Sequence, residues 1–181
     1  MDVFVYGTLT NPDRVRTVVD SFVFVGPAVL EGLRVVDGEC PTLAPPADGG
    51  GSGSSDGGSN VDASNADASG GGMAGPDVAG RLLRTNEVDA LDAYEGVEDG
   101  LYVRVSVPVV DETAGSRTTG HEAGASRSDG AAEGAGEAAV YVGDPDRLGA
   151  PAAWPGDGPL RERVERVLRE RPVEVRIPPT G

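Results

Sequence analysis

The chain of 181 residues has the length of a single domain, and its formal charge is −15, from 30 acidic and 15 basic side chains. This acid excess excludes the basic surface that binds nucleic-acid phosphates, and no stretch approaches the roughly 18 apolar residues of a membrane-spanning helix. The first residues lack the basic segment of a signal peptide. We therefore expect a cytoplasmic protein with neither nucleic-acid nor membrane partners.

The composition also bears on habitat. All basic side chains are arginines, and aromatic residues make up only 4% of the chain. An acidic chain without lysine is typical of proteins adapted to concentrated salt, where the Debye length falls to about 3 Å and self-repulsion is screened. A GC-rich genome that replaces lysine by arginine is the alternative. Neither interpretation specifies a function.

Two segments lack the side chains of a folded core. Residues 47–75 are almost entirely small or polar, and residues 112–136 contain no apolar side chain larger than alanine. Neither segment can bury enough surface to offset the entropy of ordering, so we predict two disordered insertions in surface loops. They interrupt a single domain that spans residues 1–181, and residues 144–181 are predicted to form a C-terminal extension with one helix.

The remaining segments alternate between strand and helix patterns. The first strand is predicted at residues 2–6, and the first helix starts at Asn11-Pro12, a favourable cap and first turn, and runs to about Asp20. Later helices are predicted around Val88 and Leu91 and at residues 160–171. Further strands are predicted at residues 22–25, 28–36, 40–43, 78–83, 101–110, 138–142 and 173–177. Many strands with few short helices predict a mixed α/β fold on a closed or nearly closed sheet.

A glycine turn follows the first strand, in the segment Tyr6-Gly7-Thr8-Leu9. Gly7 bends the chain without a Cβ penalty, which leaves backbone N–H groups of the turn free to hold an anion such as a carboxylate. An ordinary strand-to-helix turn is the alternative. The second and third glycines of a dinucleotide-binding motif are missing.

Glu95 ends the second predicted helix, just before Gly96, where its carboxylate could be aimed at a cleft. A solvated surface glutamate is the alternative, and we interpret the preceding Tyr94 as a core residue. Tyr102 and Arg104 share one face of the next strand, so that they could orient Glu95 or a substrate carboxylate, or could simply cover a barrel mouth.

Other catalytic arrangements find little support. The only histidine, His121, lies in a predicted insertion, which argues against Ser-His-Asp chemistry and histidine-ligated metals. Cys40 is the only cysteine and cannot form an internal disulfide, so we interpret it as a packed thiol. We expect neither a cofactor nor a metal.

Four short segments, taken in order, resemble the γ-glutamylcyclotransferase superfamily, and more narrowly its AIG2-like and γ-glutamylamine cyclotransferase branch. They are Val3-Phe4-Val5-Tyr6-Gly7-Thr8-Leu9, Val78-Ala79-Gly80, Leu91-Asp92-Ala93-Tyr94-Glu95-Gly96 and Leu101-Tyr102-Val103-Arg104. The resemblance implies a small β-barrel whose cavity holds a γ-glutamyl group. By the same resemblance, Tyr6, Gly7, Thr8 and Leu9 bind that group, Glu95 is the acid/base, and Tyr102 and Arg104 are further substrate-binding residues.

The implied reaction fits this set of residues. The α-amino group of a γ-glutamyl amine or γ-glutamyl peptide attacks its own γ-amide carbonyl, forming 5-oxoproline and releasing the free amine. The enzyme has to hold the attacking geometry and move one proton, which a glutamate with a pKa raised by burial can do. A non-catalytic module that binds a small molecule on the same fold is one alternative, and a lyase or transferase acting on an unrelated amide is another.

Overall fold

The computed structural model describes residues 1–46, 77–111 and 136–179. The two predicted insertions therefore lie outside the described residues, apart from Gly136, and so does His121. In chain order the strands are β1 (Asp2–Val5), β2 (Phe22–Glu31), β3 (Arg34–Val36), β4 (Thr42–Ala44), β5 (Val78–Thr85), β6 (Tyr102–Asp111), β7 (Gly136–Gly143) and β8 (Glu174–Ile177). The helices are α1 (Pro12–Val15), α2 (Val88–Glu95) and α3 (Leu160–Glu170), and a short 3₁₀ turn covers Gly7–Thr10.

Six of these strands close into a barrel in the order β1-β5-β2-β8-β6-β7. Neighbouring strands are antiparallel, except that β1 pairs in parallel with β7 and β6 pairs in parallel with β8. The remaining two, β3 and β4, form a separate antiparallel pair. The predicted class, a mixed α/β fold on a closed sheet, is confirmed.

The side chains of the barrel strands alternate between two apolar clusters. Phe4 points into one cluster with the valines of β6 at positions 103, 105, 107 and 109, whereas its neighbours Val3 and Val5 join a second cluster with Val15 and Leu91. This period of two is the one expected for strands that are covered on both faces. The second cluster fixes α1 and α2 against the outside of the barrel.

Several elements differ from their predicted extents. The single strand predicted at residues 28–36 is interrupted at Gly32, which has a φ of 86°, so that its two parts belong to β2 in the barrel and to β3 in the separate pair. The helix α1 ends at Val15 instead of continuing to about Asp20, and Thr17 and Val18 then bond to carbonyls only three residues back. The β-branched residues of this segment disfavour a longer helix. Strand β2 passes through the predicted break at Gly26-Pro27, with a register shift between Phe24 and Gly26. Pro27 is tolerated because the pairing of β2 with β8 begins only at Val29.

The C-terminal segment takes part in the barrel. Strand β8 lies between β2 and β6, and α3 buries Leu160, Val164 and Val167 in the same cluster as Phe4. The indole Nε1 of Trp154 donates a hydrogen bond to the carbonyl oxygen of Leu43 at 3.2 Å. The residues after Asp144 thus complete the sheet and cover part of its core.

Strand β5 contains a glycine at a point of very close contact. A Cβ on Gly80 would lie 2.6 Å from Cζ of Phe4 and would also clash with the carbonyl oxygen of Val5. Glycine is therefore needed where β5 passes the end of β1.

None of the helices in the described ranges is long and apolar enough to cross a membrane.

Candidate active site

A cavity of about 480 Å³ lies at the end of β1. Its walls come from four separate stretches of the chain. They are residues 4–14 with β1, the following turn and α1, the segment Glu39–Pro41, residues 94–102 with the end of α2 and the start of β6, and Tyr141 of β7. It contains the whole turn Tyr6–Leu9 together with Glu95 and Tyr102. Six of the seven site residues predicted from the sequence therefore meet in one cavity.

The turn after β1 has backbone N–H groups that can donate to a ligand. Gly7 has a φ of 60°, and a Cβ there would meet nothing within 4 Å, so glycine serves the backbone conformation and not the available space. The hydroxyl of Thr10 donates to the carbonyl of Gly7 at 2.6 Å, and the N–H of Asn11 donates to the carbonyl of Thr8 at 3.2 Å. The first N–H groups of a helical turn have no acceptor within it. The turn can therefore offer N–H groups to an anion.

Glu95 is the last residue of α2, and Gly96 ends the helix in the left-handed conformation with a φ of 68°. The N–H of Val97 donates back to the carbonyl of Asp92 at 2.9 Å, a bond typical of a glycine-terminated helix. This geometry places the partly buried Glu95 carboxyl in the cavity wall. Burial raises the pKa of Glu95 to about 7, so that it can both accept and donate a proton near neutral pH.

Three tyrosines that are not exposed line the cavity together with Glu95: Tyr6, Tyr102 and Tyr141. Burial raises the pKa of each phenol, and the negative charge of Glu95 adds to the shift for Tyr6 and Tyr102. All three therefore stay protonated. The hydroxyl of Tyr6 donates to the carbonyl of Tyr141 at 3.3 Å, and that of Tyr102 donates to the carbonyl of Pro41 at 3.3 Å.

Arg104 is the one predicted site residue that does not line the cavity. Its Nη1 donates to Oδ2 of Asp92 at 2.7 Å, and the hydroxyl of Tyr141 donates to Oδ1 of the same carboxylate at 2.8 Å. Asp92 lies one helical turn before Glu95 in α2. Arg104 therefore contacts the helix that carries Glu95, and its place in the structure is that of a support for α2.

The buried side chain of Thr42 helps to hold the cavity wall formed by Glu39–Pro41. The hydroxyl of Thr42 donates to the carbonyl of Gly143 at 3.0 Å and accepts from its N–H at 2.8 Å. The N–H of Glu39 donates to the carbonyl of Leu148 at 2.8 Å. These bonds hold the segment Glu39–Pro41 against β7 and the residues after it.

Two interpretations of single residues were wrong. Tyr94, assigned to the core, is 47% exposed, because the buried face of α2 consists of Val88 and Leu91. Cys40, assigned as a packed thiol, is exposed, because it precedes β4 and lies outside both sheets. Both residues line the cavity.

Sequence reasoning missed further lining residues, among them Arg14, Glu39 and Tyr141. No local pattern marks the first two, since each is an exposed charged residue in a polar stretch. Tyr141 belongs to a strand that is buried on both faces, so the usual alternation of polar and apolar residues is absent there.

Comparison with known proteins agrees with the resemblance seen in the sequence. The family described as gamma-glutamyl cyclotransferase, AIG2-like, matches residues 3–57, a stretch that contains the turn Tyr6–Leu9 and ends before Glu95. The resemblance to this family is therefore confirmed over that stretch. Among curated proteins, none matches the chain.

Several solved structures are similar to the chain. An Arabidopsis thaliana protein determined in solution is 20% identical with a TM-score of 0.43, over 93% of this chain and 83% of its own. A protein titled gamma-glutamyl cyclotransferase is 13% identical with a TM-score of 0.46, over 93% and 98% of the two chains. An uncharacterized protein from Homo sapiens is 16% identical with a TM-score of 0.47, over 99% and 90%.

Proposed function

We propose that this protein cyclises a γ-glutamyl amine or a γ-glutamyl peptide to 5-oxoproline and releases the free amine. The observation that carries the proposal is that Glu95, with a pKa of about 7, lines the same cavity as the glycine turn Tyr6–Leu9. The family match over residues 3–57 adds support, because it includes that turn.

The cavity suits a small ligand with a carboxylate. A volume of about 480 Å³ lies within the range of small-molecule sites. In our proposal the N–H groups of the turn Gly7–Leu9 bind the α-carboxylate of the glutamyl group. Backbone donors serve this purpose well because they are fixed by the turn and need no charged side chain. The glutamyl chain would then fold back beside Glu95 and the phenols of Tyr6 and Tyr102.

The reaction needs one proton carrier. Glu95 removes a proton from the α-ammonium group, and the freed amine attacks the γ-carbonyl carbon to form the new ring bond. The carboxyl then gives its proton to the amide nitrogen, and the bond from this nitrogen to the γ-carbon breaks. The regenerated carboxylate takes the second proton from the ring nitrogen, which leaves neutral 5-oxoproline, and passes that proton to the released amine. Holding the two reacting groups together can contribute up to about 7–11 kcal/mol, and general acid–base catalysis typically adds about 10²–10⁴-fold.

The test is the variant Glu95→Gln, assayed for 5-oxoproline release from γ-glutamyl amides and γ-glutamyl dipeptides. We expect turnover to fall by about 10²–10⁴-fold, because glutamine cannot carry the proton. Binding should persist, since the turn and the tyrosines are unchanged. Glu98→Gln is the matched control, because Glu98 is an exposed glutamate just after α2. Turnover at the wild-type rate in Glu95→Gln would end the mechanistic proposal.

One observation keeps a second candidate open, a non-catalytic module that binds γ-glutamyl compounds. The family match covers the glycine turn but stops before Glu95, so it includes the proposed binding element and not the proposed acid/base. Thermal stabilisation by γ-glutamyl compounds without release of 5-oxoproline would favour this candidate over the enzyme.

A further inference from the structure

Arg14 lies on the cavity although neither its sequence position nor the proposed chemistry points to it. It belongs to α1, and it lines the same cavity as Glu95. Within the described residues its guanidinium forms no ion pair or hydrogen bond. The neighbouring Arg16, by contrast, pairs with Asp13 at 2.8 Å and lies 6.0 Å from the centre of the Phe22 ring. Arg14 is thus a cation in the cavity wall whose guanidinium is not engaged by any residue that the structure describes.

The charges around the cavity make this cation distinctive. Among the described lining residues, Glu39 and Glu95 carry carboxyl groups, and Arg14 is the single cationic side chain. A guanidinium forms two parallel hydrogen bonds with a carboxylate, and such charge-assisted bonds are stronger than neutral ones. Arg14 therefore favours a ligand with a negative charge at its own end of the cavity.

The donors already assigned to the glutamyl group indicate which end of a ligand Arg14 would meet. Phe4, Val5 and Leu9 are buried lining residues, whereas Arg14 is exposed, as are Gly7 and Thr8 of the turn. In our proposal the N–H groups of the turn bind the α-carboxylate and the γ-amide lies beside Glu95. The carboxylate that remains for Arg14 is therefore one beyond the amide nitrogen, in the leaving amine.

We propose that Arg14 selects γ-glutamyl substrates whose leaving amine carries a carboxylate, an inference that rests on the proposed function. Arg14 would act as a specificity residue: it would bind the leaving group before and during ring closure and take no part in proton transfer. A γ-glutamyl peptide fits this description, and an uncharged γ-glutamyl alkylamine does not.

The experiment compares two substrates with the same skeleton, γ-glutamylglycine and γ-glutamylglycinamide, which differ by one charge on the leaving amine. We expect the wild-type kcat/KM to favour the carboxylate by about tenfold, since 1.4 kcal/mol corresponds to a factor of ten and bonds to charged groups are of that size. In Arg14→Gln the ratio should fall to about one. The fall should come from a higher KM for γ-glutamylglycine, with the glycinamide unaffected.

Two further variants serve as controls. Arg16→Gln removes a neighbouring exposed arginine that does not line the cavity, so it should leave the ratio at the wild-type value. Arg14→Lys keeps the charge but loses the planar pair of donors, so it should retain part of the preference. Binding of both compounds to the Glu95→Gln protein, measured by thermal stabilisation with and without Arg14→Gln, provides a readout that does not depend on turnover.

The outcomes separate this inference from the proposed function. An unchanged ratio in Arg14→Gln, or an equal loss for both substrates, overturns the role of Arg14 and leaves the cyclisation standing. A wild-type protein that releases no 5-oxoproline overturns the cyclisation, and the binding measurement then decides on Arg14. A binding preference for the carboxylate that Arg14→Gln removes supports the anion site, and equal binding of both compounds refutes it.

Discussion

Glu95 combines two properties that a proton carrier requires, a position in a cavity wall and a pKa of about 7. The sequence indicated the position in a cavity wall, because the predicted helix ends just before Gly96. The second was expected on chemical grounds, but it depends on burial in a cavity whose walls include β1 and the segment Glu39–Pro41. These residues lie more than fifty positions away in the chain, so that no local pattern could reveal the environment of the carboxyl.

The raised pKa of Glu95 predicts the pH dependence of the reaction. The carboxylate is the form that accepts the ammonium proton, and burial shifts its formation from the ordinary value of 4.5 to about 7. We therefore expect kcat/KM to increase with pH up to about 7 and to level off above it, when 5-oxoproline release is followed between pH 5 and 8. Activity that is already maximal at pH 5.5 would show that another group carries the proton.

At the scale of secondary structure, the carboxylate of Asp92 connects α2 to the barrel through hydrogen bonds. Asp92 accepts hydrogen bonds from Arg104 of β6 and Tyr141 of β7, and it lies one turn before Glu95. The sequence placed Arg104 on the correct strand and beside Tyr102, but it could not supply the partner. Which helix lies over a strand is decided by packing across the whole domain, not by the residues of the strand itself.

Asp92→Asn tests whether the hydrogen bonds of Asp92 to Arg104 and Tyr141 position Glu95. Asparagine keeps the shape but loses the charge and an acceptor, so α2 should loosen at its C-terminal end and Glu95 should become more exposed. We expect kcat/KM to fall by about tenfold and the midpoint of its pH profile to move from about 7 towards the ordinary value of 4.5.

The pH profile distinguishes positioning from a general loss of stability. Asp89→Asn is the matched control, because Asp89 is an exposed aspartate on the same helix, and it should leave the midpoint unchanged. A wild-type pH profile of kcat/KM in Asp92→Asn, measured on protein with a native circular dichroism spectrum, would contradict the proposed role of the Asp92 hydrogen bonds.

At the scale of the molecule, the class of fold was predictable and the order of the strands was not. Alternating strand and helix patterns are local, and they predicted a mixed α/β fold on a closed sheet. The barrel, however, is closed by pairs such as Asp2 with Ala138 and Val29 with Arg176. Pairings across such distances leave no trace in a single sequence, and for this reason the C-terminal strand was not assigned to the barrel.

The net charge of −15 predicts a dependence of stability on salt. Repulsion among the carboxylates opposes the compact state, and added salt screens it. We expect the free energy of unfolding, measured in urea at pH 7, to increase by on the order of 1–2 kcal/mol between 0.1 and 2 M NaCl. The same titration at pH 4.5 is the control, because protonated carboxyls have less repulsion to screen. An equal gain at both pH values would point to a general salting-out effect instead.

The tight passage of β5 across the end of β1 has a consequence for ligand size. Phe4 and Val5 both line the cavity, and both lie against Gly80 of β5. A methyl group at Gly80 would have to displace the backbone carbonyl of Val5 as well as the Phe4 ring, and so would shift the cavity wall itself. The shape of the pocket therefore depends on a residue that does not line it.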